Sequence, residues 1–107
     1  MVLISVHVTL TCAPENLTEF LDLIKQLGEK AAAEPHCLSL EVFTSQDTPG
    51  EVTLVETYNK DRKYLEEEQL AKPYFAEYFP KMGPLLVKEK QVGYYDVVPA
   101  FRWANQA

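Results

Sequence analysis

His7 stands between Ser5 and Thr9 in a chain of 107 residues. An imidazole with an ordinary pKa of about 6.5 is suited to taking a proton from a phenol near neutral pH, which makes His7 the candidate general base. A lone histidine beside hydroxyls is equally a satisfied rim or core residue. Tyr74, Phe75, Tyr78 and Phe79 form the densest aromatic run. On a helix, 74 and 78 share one line and 75 and 79 the next. Such a stripe serves a core, but a buried tyrosine hydroxyl needs a partner. Paired hydroxyls over an apolar pocket would orient a flat phenolic ligand. Tyr58 and Tyr64 add an aromatic pair at a strand end.

Other chemistries lack their residues. His7 and His36 are not at metal-ligand spacing, and neither Cys12 nor Cys37 completes a zinc set. The glycines stand alone, so no loop cradles a phosphate, and no Gly-x-Ser-x-Gly occurs. No cofactor and no metal are expected. His36, at a helix-to-strand corner, is expected to be exposed. Glu66-Glu67-Glu68 is expected to be a solvated helix face. Cys12 and Cys37 are read as reduced, buried hydrophobes, although Cys12 before a helix keeps a reactive thiol open.

Composition bounds the classes. Apolar residues make up 47% and charged residues 24%, an ordinary globular balance. The net charge of −6 and scattered basic residues argue against a nucleic-acid surface. No apolar run reaches the ~20 residues of a membrane helix. Met1-Val2-Leu3-Ile4-Ser5 has neither a basic region nor a small-residue cleavage site, so it reads as a strand, and a cytoplasmic location is expected.

The elements that must position these residues follow from periodicity. Residues 2–10 alternate, with Val2, Ile4, Val6, Val8 and Leu10 on one face. Pro14 suits the first turn of a helix that carries Leu17, Phe20, Leu21, Ile24 and Leu27 and stops at Glu34-Pro35. Segments 37–44 and 52–59 read as strands joined through Asp47-Thr48-Pro49-Gly50, an antiparallel hairpin. Asp61 caps a short helix to about Leu70, Pro73 opens another, and Val92–Val98 is a last strand. The order β-α-β-β-α-β predicts a ferredoxin-like α+β domain over 1–98 with a four-stranded antiparallel sheet and a tail over 99–107. Helices cover one face of such a sheet. Apolar residues on the other predict a two-fold dimer, sheet on sheet.

Glu34-Pro35-His36-Cys37, the hairpin, Val55-Glu56-Thr57-Tyr58 and Gln69-Leu70-Ala71-Lys72-Pro73-Tyr74-Phe75 together resemble the antibiotic biosynthesis monooxygenase family. Its members typically show E-P-G-C, then V-E-x-W, then H-L-x-x-P-H-F. The resemblance runs to about Val98 and implies a dimeric α+β barrel. It also implies oxidation of phenols or quinols by dioxygen with no metal, flavin or haem. Here His36 replaces the Gly, Tyr58 the Trp, Gln69 the first His and Tyr74 the second. Phe79 stands where haem-degrading relatives carry their iron-ligating His, so haem is not expected. Tyr58 and Tyr64 match an aromatic pair in the pocket of polyketide-oxidising members, and Glu56 holds a position usually acidic in the family.

The expected function is thus a cofactor-independent monooxygenase or oxidase of a polyketide-like aromatic phenol, acting as a homodimer with no nucleic-acid or membrane partner. A non-oxidative isomerase or cyclase and a non-catalytic small-molecule binding domain stay open. The pocket is expected between sheet and helices. His7 would be the base, and Tyr58, Tyr64, Gln69, Tyr74, Tyr78 and Phe79 would bind substrate.

Overall fold

The computed structural model describes residues 2–105. Its strands are β1 (Ile4–Thr11), β2 (Cys37–Thr44), β3 (Glu51–Tyr58) and β4 (Gln91–Asp96). They form one antiparallel sheet in the order β2-β3-β1-β4, the ferredoxin-like arrangement. The main helices are α1 (Leu17–Ala32) and α3 (Pro73–Met82). Between β3 and α3 lies α2 (Arg62–Tyr64), which widens into a π turn over Leu65–Gln69. Among the described residues no helix is long and apolar enough to cross a membrane.

Alternation decides which side of the sheet is covered. Val6 and Leu10 are buried beneath the helices, with Val8 packed beside them. α1 brings Phe20, Ile24, Leu27 and Ala31 down onto this face, and α3 brings Phe75, Tyr78 and Met82. Pro14 opens a short 3-10 turn ahead of α1, which suits its fixed φ and missing N–H. Helix α3 also begins with proline, at Pro73, and tolerates Pro80 near its end. The Asp61 carboxylate accepts the Tyr64 backbone N–H at 2.8 Å, the expected cap of α2.

The register places particular residues together. Val6 faces Glu56 on β3 and Tyr94 on β4; Val8 faces Leu54 and Val92. These positions line the helix-covered side. The apolar stripe of β1 is therefore the side the helices bury, and it does not argue for a second copy. Ser5, His7 and Thr9 point to the open side. That side carries Thr53, Val55 and Thr57 from β3, with Phe43 and Tyr95 about half exposed on β2 and β4.

Gly50 ends the β2–β3 hairpin with φ of 86°, a conformation that favours glycine. Ser45 closes the turn by accepting the backbone N–H groups of Asp47 and Thr48. The Gly50 carbonyl accepts the Cys12 N–H at 2.9 Å, tying the hairpin to the end of β1. A Cβ on Gly50 would stand 2.1 Å from the Cys12 carbonyl oxygen, which is backbone and cannot swing aside. Gly50→Ala should therefore destabilise the fold by about 2 kcal/mol or more. Gly83→Ala, where a Cβ meets nothing within 4 Å, should cost far less. Urea unfolding of the two variants measures the contrast.

Candidate functional site

Between the sheet and the helices lies a cavity of about 490 Å³. Sites for small ligands run from roughly 300 to 1,000 Å³. Its walls are mostly aliphatic and aromatic, including Val6, Val8, Leu54, Leu65, Phe75 and Met82. Glu56, Tyr58, Gln69 and Tyr94 supply polar atoms in the wall, and Glu89 and Lys90 also line it. Leu70, Phe79 and Val92 line it while remaining more than one third exposed, so its rim is apolar.

Glu56 is the unusual member. Strand β3 aims it at the helices because residues 54, 56 and 58 share one face. The Tyr58 hydroxyl, two residues on, donates to its carboxylate. Burial pushes the Glu56 carboxyl above the ordinary carboxylate range, and the Tyr58 hydrogen bond draws it only partly back. Burial, and then the charge of Glu56, push Tyr58 well above the ordinary phenol range. No ion pair involves Glu56 among the described residues. A carboxyl with a raised pKa in a mostly apolar cavity is a candidate for proton transfer.

The π turn supplies the second polar element. Its wider coil brings Leu65, Gln69 and Leu70 to the same cavity wall, and the Leu70 N–H reaches the Leu65 carbonyl at 3.2 Å. Gln69 is buried, at 3% exposure. Its Oε1 lies 2.6 Å from His36 Nε2, and its Nε2 donates to the Tyr74 hydroxyl at 3.0 Å. Tyr74 in turn donates to Glu34 at 3.1 Å, and Lys72 Nζ lies 3.7 Å from the same carboxylate. Burial and the Glu34 hydrogen bond push the Tyr74 phenol up to about 12.

His36 is not the exposed corner residue that its position predicts. It is 7% exposed and stacks on Tyr58 with ring centroids 5.9 Å apart. The edge contact to Tyr64 is at 5.1 Å. No periodic pattern covers residues 33–36, so burial there depends on partners distant in sequence. The polar partner of His36 is Gln69, 33 residues on in the chain.

The residues singled out from the sequence divide into groups. Tyr58, Gln69 and Phe79 line the cavity. Tyr74 stands behind Gln69, and Tyr64 stands behind His36. Tyr78 belongs to the core, its hydroxyl donating to Gln26 at 3.1 Å. His7 does not meet the aromatic stripe across the gap. It lies on the open side, bonded to Ser5 at 3.0 Å and packed against Tyr95 at 4.5 Å. Gly93 leaves room for the Tyr95 side chain, since a Cβ there would stand 2.5 Å from its hydroxyl oxygen and 2.6 Å from a ring carbon. Cys12 is buried in the core and burial raises its thiol, which suits the structural role. Glu66, Glu67 and Glu68 are exposed, as expected. Among the described residues no group of three or more His, Cys, Asp or Glu is placed to hold a metal ion.

A ferredoxin-like α+β domain with an apolar pocket between sheet and helices defines the class of protein. Residues 3–67 match the sequence profile of the antibiotic biosynthesis monooxygenase family, and the chain belongs to that family. It is 32% identical over 102 residues to a protein named as a candidate monooxygenase from Pestalotiopsis microspora, spanning 95% of this chain and 85% of the relative. The fold matches a candidate antibiotic biosynthesis monooxygenase from Caulobacter crescentus with a TM-score of 0.82 at 28% identity, covering 91% of each chain. A conserved protein from Methanosarcina mazei matches with a TM-score of 0.79 at 29% identity, covering 89% of this chain and 92% of that one.

The raised Glu56 carboxyl carries a stability consequence. Its folded pKa lies above the unfolded value near 4.5, so the folded state holds its proton more tightly. That contribution is fully present below the unfolded pKa and is lost as pH rises through the folded one. Glu56→Gln keeps an acceptor for Tyr58 without a buried charge. It should raise the urea midpoint relative to wild type at about pH 7, and the gap should close toward about pH 4.

Proposed function

We propose that the protein is a cofactor-independent monooxygenase of an aromatic phenol or quinol, with dioxygen as the oxidant. The observation that carries this reading is the Glu56 carboxyl, half-buried and raised in a mostly apolar cavity of about 490 Å³. Glu56 accepts the phenolic proton, and Tyr58 holds the carboxylate in place. The electron-rich phenolate passes one electron to dioxygen. The resulting superoxide and aryl radical combine at a ring carbon, and Glu56 returns its proton to give a hydroperoxide. Loss of the hydrogen on that carbon, with cleavage of the O–O bond, releases water and leaves a quinone. One dioxygen is consumed, one oxygen atom enters product, and the substrate supplies both reducing electrons. Membership of the family and the candidate monooxygenase among its relatives support this chemistry over the alternatives.

His7 is outside the cavity, and its place on the open side suits an interface. We read that side as the contact between two copies, because the helices cover only the opposite face. Phe43, Val55 and Tyr95 supply its apolar area, with threonines between them. Sedimentation should give twice the chain mass of 12.2 kDa. Val55→Lys should return the monomer with the cavity intact. A wild-type monomer at micromolar concentration contradicts the dimer.

The oxidative reading is tested with anthrone- or quinol-type substrates and an oxygen electrode. Uptake should be stoichiometric with quinone and should yield no free hydrogen peroxide. The turnover rate should rise with pH through the raised Glu56 pKa, since the base works deprotonated. Glu56→Gln should lose about 10²- to 10⁴-fold, and His7→Ala should change little. Product without uptake would indicate an isomerase or cyclase using the same base. Binding without product would indicate a binding domain.

A further inference from the structure

We infer that Gln69 donates the hydrogen bond that receives the substrate's phenolate oxygen, and that His36 positions its amide to do so. The inference rests on the aromatic-phenol reading above and deepens it.

Counting hydrogens orients the whole network. The Glu34 carboxylate only accepts. Tyr74 has a single hydrogen, which goes to Glu34 at 3.1 Å. The Tyr74 oxygen must therefore accept from Gln69 Nε2, 3.0 Å away. That turns Gln69 Oε1 toward His36, so His36 Nε2 carries its hydrogen across the 2.6 Å contact. Every bond then runs in one direction, from imidazole to amide to phenol to carboxylate. The Gln69 amide is fixed at both ends, and its second Nε2 hydrogen has no protein acceptor among the described residues.

Gln69 lines the same cavity as Glu56 and Tyr58. Glu56 can take the phenolic proton, but its carboxyl offers no positive charge to the anion that forms. The Tyr58 hydroxyl is committed to Glu56. The free amide hydrogen of Gln69 is a neutral donor already in place, and such preorganised donors are what a developing oxyanion requires. The imidazole that holds it cannot turn easily, because Tyr58 stacks on one side and Tyr64 meets it edge-on.

His36 and Gln69 are hydrogen-bonded, with the amide in the cavity lining and the imidazole outside it. His36 is a positioning residue that acts through Gln69.

A phenol that binds but is not oxidised tests this apart from turnover. In 4-nitrophenol only the anion is yellow, so absorbance titration of the bound probe gives the ratio of anion to neutral affinity. The measurement is made in the Glu56→Gln background, which removes the titrating carboxyl from beside the probe. Gln69→Leu should lower that ratio by roughly 10- to 100-fold, as expected for a hydrogen bond to a charged group. His36→Ala should lower it by roughly 3- to 10-fold, and His36→Asn, which restores an N–H, should recover part of the loss. Unchanged ratios in Gln69→Leu and His36→Ala, with native circular dichroism and melting temperature, would overturn the inference. Failure of 4-nitrophenol to bind the Glu56→Gln protein at all would overturn the aromatic-phenol reading together with it.

Discussion

A carboxyl group with no ion-pair partner among the described residues, set into a mostly apolar wall, is the constraint on which the rest of the site depends. Burial disfavours the ionised form of Glu56, and only the Tyr58 hydroxyl answers it directly. The arrangement is a consequence of strand geometry. Residues two apart share a face, so a Glu-x-Tyr segment delivers the acid and its donor to the same side of the sheet. The register with β1 then sets Glu56 opposite Val6, between aliphatic neighbours and away from the open side. Such a group costs stability wherever it is ionised, because the folded state favours its protonated form.

The helical layer turns that strand position into a cavity. α1 and α3 bury Phe20, Ile24, Phe75 and Met82 against the sheet, which closes one end. Farther along, the π turn before α3 packs Leu65 against Val6 and Tyr58 and brings Gln69 into the cavity wall. His36, just before β2, reaches Gln69 across 33 residues of sequence. The site thus draws Glu56 and Tyr58 from a strand, Gln69 from a π turn and His36 from a helix-to-strand corner. None of these elements builds it alone.

Alternation and turn chemistry made the fold legible from residues alone. β1 reads as a strand, Pro14 and Pro73 mark helix starts, and Pro49-Gly50 marks the hairpin. The same alternation also held the orientation of His7. Val6, Val8 and Leu10 form the more apolar side, so helices cover them, and the Ser5-His7-Thr9 side must face outward. The imidazole of His7 therefore lies on the side of the sheet away from the cavity. Tyr58, Gln69 and Phe79 were placed at the cavity because strand end and helix stripe converge there. Tyr78 shares the line of Tyr74 but falls deeper against α1, where Gln26 satisfies its hydroxyl. The π turn was not legible, since one extra residue in a coil leaves no periodic trace. The burial of His36 was hidden for a related reason: its partners come from three other parts of the chain.

The central claim is that Glu56 holds its proton more tightly than an ordinary carboxylic acid while sitting in the cavity wall. Carbon NMR of protein labelled at the glutamate carboxyls, with the Glu56 resonance assigned by its absence in Glu56→Gln, reads that proton directly. The account predicts one glutamate carboxyl titrating above the ordinary value near 4.5, with its midpoint moving when 4-nitrophenol is added. A Glu56 resonance that titrates at or below the ordinary value, unmoved by the probe, would contradict it.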